Sequence, residues 1–234
     1  MTKHIGIVAC SAEGAALCYR TIAAEGADAC GEHNHPEMTM HTHPLARYLV
    51  HIRAGDWPAV GELMLSSARI VAAAGADFAI SPDNTIHEAF EHVTSRSPIP
   101  WLHIAGEVAR EAAAAGHVAV GVLGTKYLMT GPVYRDALAA AGIEGLIPGQ
   151  EDRERIDEII FGQLVYAVFT DESRAYFNEV IEQLKSRGAQ AVVLGCTEIP
   201  LLVRPDEAPL PTLDSTRILA RAALREATGG SASS

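Results

Sequence analysis

Two positions in this chain combine a reactive side chain with the end of a strand-like run. Cys196 follows Ala191–Leu194 and precedes Thr197-Glu198, and Asp83 stands in Ser81-Pro82-Asp83-Asn84-Thr85 after Phe78–Ser81. Ligands of open α/β sheets bind at the carboxyl ends of strands, where the N–H groups of following helices point outward. A thiol at such a turn is stabilised as a thiolate and can act as base or nucleophile, whereas a thiol buried in hydrocarbon is inert. The aspartate has two readings. Asp, Asn and Thr favour helix starts, so Asp83 could be an N-cap; it could equally be a carboxylate paired with the thiolate. Neighbouring anions repel, so one site tends to hold a proton while the other is free, the state a proton shuttle needs. Cys10 has a similar address after the first strand, but packing or turn structure explains it more simply.

The elements that must position these residues alternate along the chain. Strand-like runs are His4–Val8, Met38–His41, Phe78–Ser81, Val118–Leu123 and Ala191–Leu194, with weaker ones at Pro100–His103 and near Leu146. Helical periodicity is expected over Ala12–Glu25, Trp57–Ala74, Thr85–Thr94, Ile104–Ala115, Pro132–Ala141, Glu151–Phe161, Asp171–Arg187 and Ser215–Ala227. This is the pattern of βα units around a mainly parallel sheet. Comparing the chain with itself reveals a repeat. Gly75-Ala-Asp-Phe-Ala-Ile-Ser-Pro-Asp83 aligns without gaps on Gly188-Ala-Gln-Ala-Val-Val-Leu-Gly-Cys196, and His4-Ile-Gly-Ile aligns on His117-Val-Ala-Val at the same offset. The expected architecture is therefore two similar α/β domains with parallel-sheet cores, related by a pseudo-two-fold axis. Asp83 and Cys196 would then approach a shared interdomain cleft from opposite sides. Groups on opposite faces of one substrate carbon are what inversion by two bases requires.

Further polar groups could serve such a site. Ser11, and Thr125 after Gly124, offer hydroxyl and N–H donors for a carboxylate. Neither segment completes a Gly-x-Gly-x-x-Gly pattern or a P-loop, so no nucleotide cofactor is expected. His33, His35, His41 and His43 contain two His-x-His pairs, and period two would put His41 and His43 on one side of a strand. No carboxylate or cysteine at metal-ligand spacing completes the set, so no metal is expected, and one of these histidines meeting substrate is the better reading.

Composition sets the outer limits. Eighteen Lys and Arg against 29 Asp and Glu leave a net charge of −11, which argues against a nucleic-acid surface. The four cysteines lack the density of a disulfide framework, and no Cys-x-x-Cys suggests a structural zinc site. No apolar stretch approaches membrane-spanning length and no signal-peptide core follows Met1, so no membrane partner and a cytoplasmic location are expected. The terminal Gly-Gly-Ser-Ala-Ser-Ser has the composition of a flexible tail.

The segments Ile5-Gly6-Ile7, Gly75-Ala76-Asp77-Phe78, Asn84-Thr85-Ile86-His87, Pro100-Trp101-Leu102-His103-Ile104, Gly121-Val122-Leu123-Gly124-Thr125 and Leu194-Gly195-Cys196-Thr197-Glu198-Ile199-Pro200 resemble the aspartate/glutamate racemase superfamily. The resemblance runs over nearly the whole chain. It implies two α/β domains, 1–100 with 210–234 and 101–209, the C-terminal helix returning to the first. It also implies cofactor-independent chemistry by two opposed cysteines, and a homodimer. Two departures stand out. The first cysteine of the family is replaced here by Asp83, and the Arg that binds an acidic side chain aligns near His43, so either a distal carboxylate falls to His43, Arg47 or another cation, or the substrate has none.

The leading expectation is racemisation or epimerisation of a small amino acid or related carboxylate. Cys196 and Asp83 would exchange the α-proton, while Ser11, His43, Asn84, Thr85, Thr125, Thr197 and Glu198 bind substrate. One alternative keeps the scaffold but uses Cys196 alone, as a decarboxylase, cis-trans isomerase or lyase. Another is a two-lobed ligand-binding protein without catalysis.

Overall fold

The computed structural model describes residues 2–230; the last four residues of the Gly/Ser-rich tail lie outside them. The chain forms two compact units, Met1–Ile104 with Thr216–Ser234 and Ala105–Ser215. Each is an α/β unit around a parallel sheet.

The first unit opens with β1 (Ile5–Ala9), buried at all five positions as a strand covered on both faces must be. Next comes α1 (Ala12–Cys30), whose N-cap Ser11 accepts the Gly14 N–H on its hydroxyl. Edge strand β2 (Met38–Thr42) leads into α2 (Leu45–Ala54) and α3 (Trp57–Ala73). Then β3 (Phe78–Ile80) pairs with β1, giving the order β2-β1-β3. After a 3-10 turn at Thr85–Ala89 and the short α4 (Phe90–Thr94), the chain reaches α5 (Ile104–Ala114) and leaves the unit.

The second unit repeats the plan. It contains β4 (Ala119–Leu123), α6 (Lys126–Thr130), α7 (Pro132–Ala140), β5 (Glu144–Leu146), α8 (Gln150–Gly162), α9 (Asp171–Ser186), β6 (Ala191–Leu194), α10 (Ile199–Leu202) and β7 (Thr212–Asp214). Its strand order is β5-β4-β6-β7, all parallel. The core joins β4 and β6 to α8 and α9 through Leu123, Ile156, Ile160, Phe177, Ile181 and Val192. Finally α11 (Ser215–Thr228) carries Leu219, Ala220 and Ala223 into the core of the first unit, against Ile5, Ile7, Cys18 and Ile22.

The repeat seen in the sequence has a structural counterpart within each unit. Gly75 and Gly188, the matched residues before β3 and β6, have φ values of 101° and 105°. Only glycine adopts this region without steric cost, which explains why both copies keep it.

Four expectations need correction. The helix expected over Thr85–Thr94 begins as a 3-10 turn. In an α-helix the His87 main-chain N–H would bond the Asp83 carbonyl; here it bonds Asn84 O at 3.1 Å, and the His87 ring takes the Asp83 carbonyl instead. The weak strand at Pro100–His103 shrinks to a single parallel bridge between Ala79 and Trp101, because Pro100 has no N–H for a ladder and α5 starts at Ile104. The helices α2, α6 and α10 were not anticipated. The last two are five and four residues long, too short to show a period, and α2 buries only Tyr48 and Ile52 before Gly55 caps it with φ 68°. Likewise β7 has three residues and owes its strand state to pairing with β6.

Candidate active site

Each unit places one chemistry-bearing residue after the carboxyl end of a strand, Asp83 after β3 in the first and Cys196 after β6 in the second. In the second unit, β6 stops at Leu194 and the chain turns through Gly195. That glycine sits main chain against main chain: its N–H donates to Leu123 O at 2.8 Å, and a methyl group added there would lie 2.7 Å from the same oxygen. Cys196 follows, half-buried, and its Sγ donates to Glu198 Oε2 at 3.0 Å. Thr197 Oγ1 donates to the same oxygen at 2.7 Å. Glu198 is 3% exposed, so this carboxylate is a buried acceptor aimed at the thiol. The arrangement corrects one expectation. The helix after Cys196 is a single turn, Ile199–Leu202, too short for its dipole to matter, and the thiol has a carboxylate instead. The Glu198 carboxylate lies within hydrogen-bond reach of the thiol, the geometry of a general base for its proton.

In the first unit, Asp83 does not cap the turn that follows it. Its carboxylate reaches back to the end of β1, where Oδ2 accepts the Cys10 N–H and Oδ1 accepts the Ser11 N–H, each at 2.9 Å. Ser11 is the N-cap of α1 and Cys10 the residue before it, so the carboxylate sits at the N-terminal end of a 19-residue helix. Two main-chain donors fix its orientation and favour its charged form. The Ser11 N–H, expected to bind a substrate carboxylate, is thereby already committed to Asp83.

Other predicted residues are accounted for. Asn84 is 3% exposed, beside Thr85 at the start of the 3-10 turn. The Thr125 hydroxyl caps α6, accepting the Leu128 N–H at 3.2 Å. His43 does lie beside His41, with ring centroids 4.9 Å apart. Arg47 Nη1 lies 3.1 Å from His43 Nδ1, so that nitrogen accepts, and Nε2–H donates to Ser66 Oγ at 2.6 Å. Burial, Arg47 and His41 together lower the His43 pKa, so the ring is neutral near pH 7. Among the described residues no group of three or more His, Cys, Asp or Glu side chains could hold a metal ion, and all four cysteines are free thiols.

Three residues near the site were not singled out from the sequence. Tyr48 is fully buried, and Cys10 and Asp83, both near it, join burial in raising its phenol pKa. Ser81 Oγ is buried two residues before Asp83 with no hydrogen-bond partner. His87, four residues after Asp83, bonds the Asp83 carbonyl; its sequence signals were that i, i+4 spacing and its place in the Asn84–His87 segment of the family resemblance. A surface hollow of about 210 Å³ lined by Val122, Met129, Tyr134 and Ile147 contains none of the predicted site residues.

Comparison with known proteins points one way. Residues 5–223 match the model of the Asp/Glu/hydantoin racemase family. The broad specificity amino-acid racemase RacX of Bacillus subtilis (strain 168) is 23% identical over 188 residues, 80% of each chain. A solved structure from Yersinia pestis, assigned to the Asp/Glu racemases, superposes with a TM-score of 0.88 at 30% identity, covering 96% of this chain and 99% of that one. An aspartate racemase homologue from Pyrococcus horikoshii OT3 gives 0.83 at 25% identity, covering 97% and 100%. No described helix is long and apolar enough to cross a membrane. The chain belongs to the Asp/Glu/hydantoin racemase family, and with it to the isomerases.

Proposed function

We propose that the protein racemises or epimerises a small amino acid or related carboxylate, aspartate- or glutamate-like, without a cofactor, by two-base proton transfer at Cα. The observation that carries this reading is the Cys196 thiol bonded to the buried Glu198 carboxylate at 3.0 Å. Glu198 takes the thiol proton, and the Cys196 thiolate removes the α-proton. The electron pair left on carbon spreads into the substrate carboxylate, held by hydrogen-bond donors near Asn84, Thr85, Thr125 and Thr197. Protonated Asp83 then returns a proton to the opposite face, and the reverse sequence runs from the other enantiomer. A carboxylate bonded by two N–H groups is a weak base. Proton delivery from Asp83 should therefore be faster than abstraction by it. His43 and Arg47 are the candidates for a distal carboxylate, and family resemblance supports a cytoplasmic homodimer.

A second reading is favoured by the same clamp on Asp83: Cys196 as the sole acid/base, in a decarboxylase, cis-trans isomerase or lyase. The experiment is α-proton exchange into D₂O from both enantiomers of a panel of amino acids. Two-base racemisation predicts deuterated product of the opposite hand, abolished in Cys196→Ala and reduced unequally from the two enantiomers in Asp83→Ala. Exchange without inversion, unchanged in Asp83→Ala, would leave Cys196 as a one-sided base. Stoichiometric ligand binding with no exchange would make the protein a binding module.

A further inference from the structure

His87 is a buried titratable group of the first unit that the proton-transfer scheme leaves without a task. Its ring is 3% exposed, stacks on Phe90 with centroids 5.4 Å apart, and meets His103 edge-on at 4.9 Å. Both ring nitrogens are used. Nδ1 lies 2.9 Å from the Asp83 carbonyl oxygen, which can only accept, so Nδ1 carries the proton. Nε2 must then accept, and the Ile104 N–H donates to it at 3.4 Å. One tautomer of neutral imidazole satisfies both partners.

The bond to Asp83 also stands in for main-chain structure. It occupies the carbonyl that the His87 N–H would take in an α-helix, and that N–H turns to Asn84 O at 3.1 Å. The peptide after Asp83 is thus held from outside the helix ladder, in the tight turn that lets the carboxylate point back to the Cys10 and Ser11 N–H groups. We infer that His87 is the positioning residue for Asp83: its Nδ1–H fixes the turn that aims the carboxylate, and its Nε2 ties that turn to Ile104 at the start of α5. The catalytic consequence rests on the proton-transfer reading of Asp83, whereas the structural one does not.

Two substitutions separate the two bonds. His87→Asn places an amide donor where Nδ1 stands, and His87→Gln places an amide oxygen where Nε2 stands. Amide hydrogen exchange on the ¹⁵N-labelled full chain reads the Cys10 and Ser11 N–H groups directly, with Asp83→Ala as the control that frees them. The expected result is exchange at these two amides faster by about tenfold or more in His87→Gln and within about threefold of wild type in His87→Asn. His87→Gln should also reproduce the one-sided deficit of Asp83→Ala in α-proton exchange, while His87→Asn retains both directions. Wild-type protection in His87→Gln would overturn the inference. So would equal loss in both variants spread along the whole of β1 with a matching fall in Tm, the mark of a merely structural role. If wild-type protein exchanges no α-proton from any amino acid, the proton-transfer reading fails, and the amide measurement still decides the role of His87.

Discussion

In the first unit, the turn after β3 ends in a carboxylate whose two oxygens are both taken by main-chain N–H groups. In the second, the matched turn after β6 ends in a half-buried thiol that donates to a neighbouring carboxylate. Strand order up to that point is the same, with β1 flanked by β2 and β3 and β4 flanked by β5 and β6. The scaffold therefore supplies the address, and the side chains around it decide the chemistry. A carboxylate that accepts one main-chain N–H on each oxygen is held in a fixed orientation. A thiol beside an acceptor is held ready to lose its proton. The residue before each makes a related point: Gly195 lets the second turn close against Leu123, where the first unit has Pro82.

That contrast can be broken in graded steps. The largest expected effect is on turnover. Glu198→Gln keeps the shape and removes the proton acceptor, and should lower exchange by about 10²-fold. α-Proton exchange into D₂O reads this directly; an unchanged rate would mean that Glu198 does not serve as the base for the thiol. Next comes Gly195→Ala, whose added methyl meets Leu123 O and Leu128 Cδ2 at 2.7 and 2.6 Å. A loss of about 1–3 kcal/mol is expected in urea unfolding, together with reduced activity as the Cys196 turn shifts.

The smallest effect sharpens the other side of the comparison through pH. Burial and the facing His103 hold the His87 pKa down to about 3, and burial lowers that of His103. Below the ordinary histidine value the unfolded chain binds protons that the folded chain refuses. Their stabilising contribution is thus complete at neutral pH and is lost as pH falls from about 6.5 toward 3. Wild-type stability should fall by about 2 kcal/mol more than that of His87→Asn between pH 7 and pH 5. Parallel pH profiles would show that His87 is not the group refusing protons.

Much of this was readable before any coordinates. Continuous apolar runs marked β1, β4 and β6 because strands buried on both faces need them. The repeat matched Gly75 with Gly188 and Asp83 with Cys196, and the Leu194–Pro200 block carried the family resemblance. Short elements escaped: α6, α10 and β7 have too few residues for a period to emerge. Glu198 was legible as a neighbour of Cys196 but not as its hydrogen-bond acceptor, because spacing of two says nothing about where a side chain points.

The sequence by itself determined the class of the fold, the duplicated βα plan and the strand-end position of Cys196, since each depends on local periodicity and on residues adjacent in the chain. Only the tertiary structure decided what Asp83 does. Its partners lie 72 and 73 residues away at the end of another strand, and they meet it because β1 and β3 pair in parallel. For α11 the amphipathic pattern foretells burial but not against which sheet; the family resemblance named the first unit, and packing against Ile5, Ile7, Cys18 and Ile22 realises it. Side-chain period encodes which face is apolar; the surface that covers it is chosen by long-range packing.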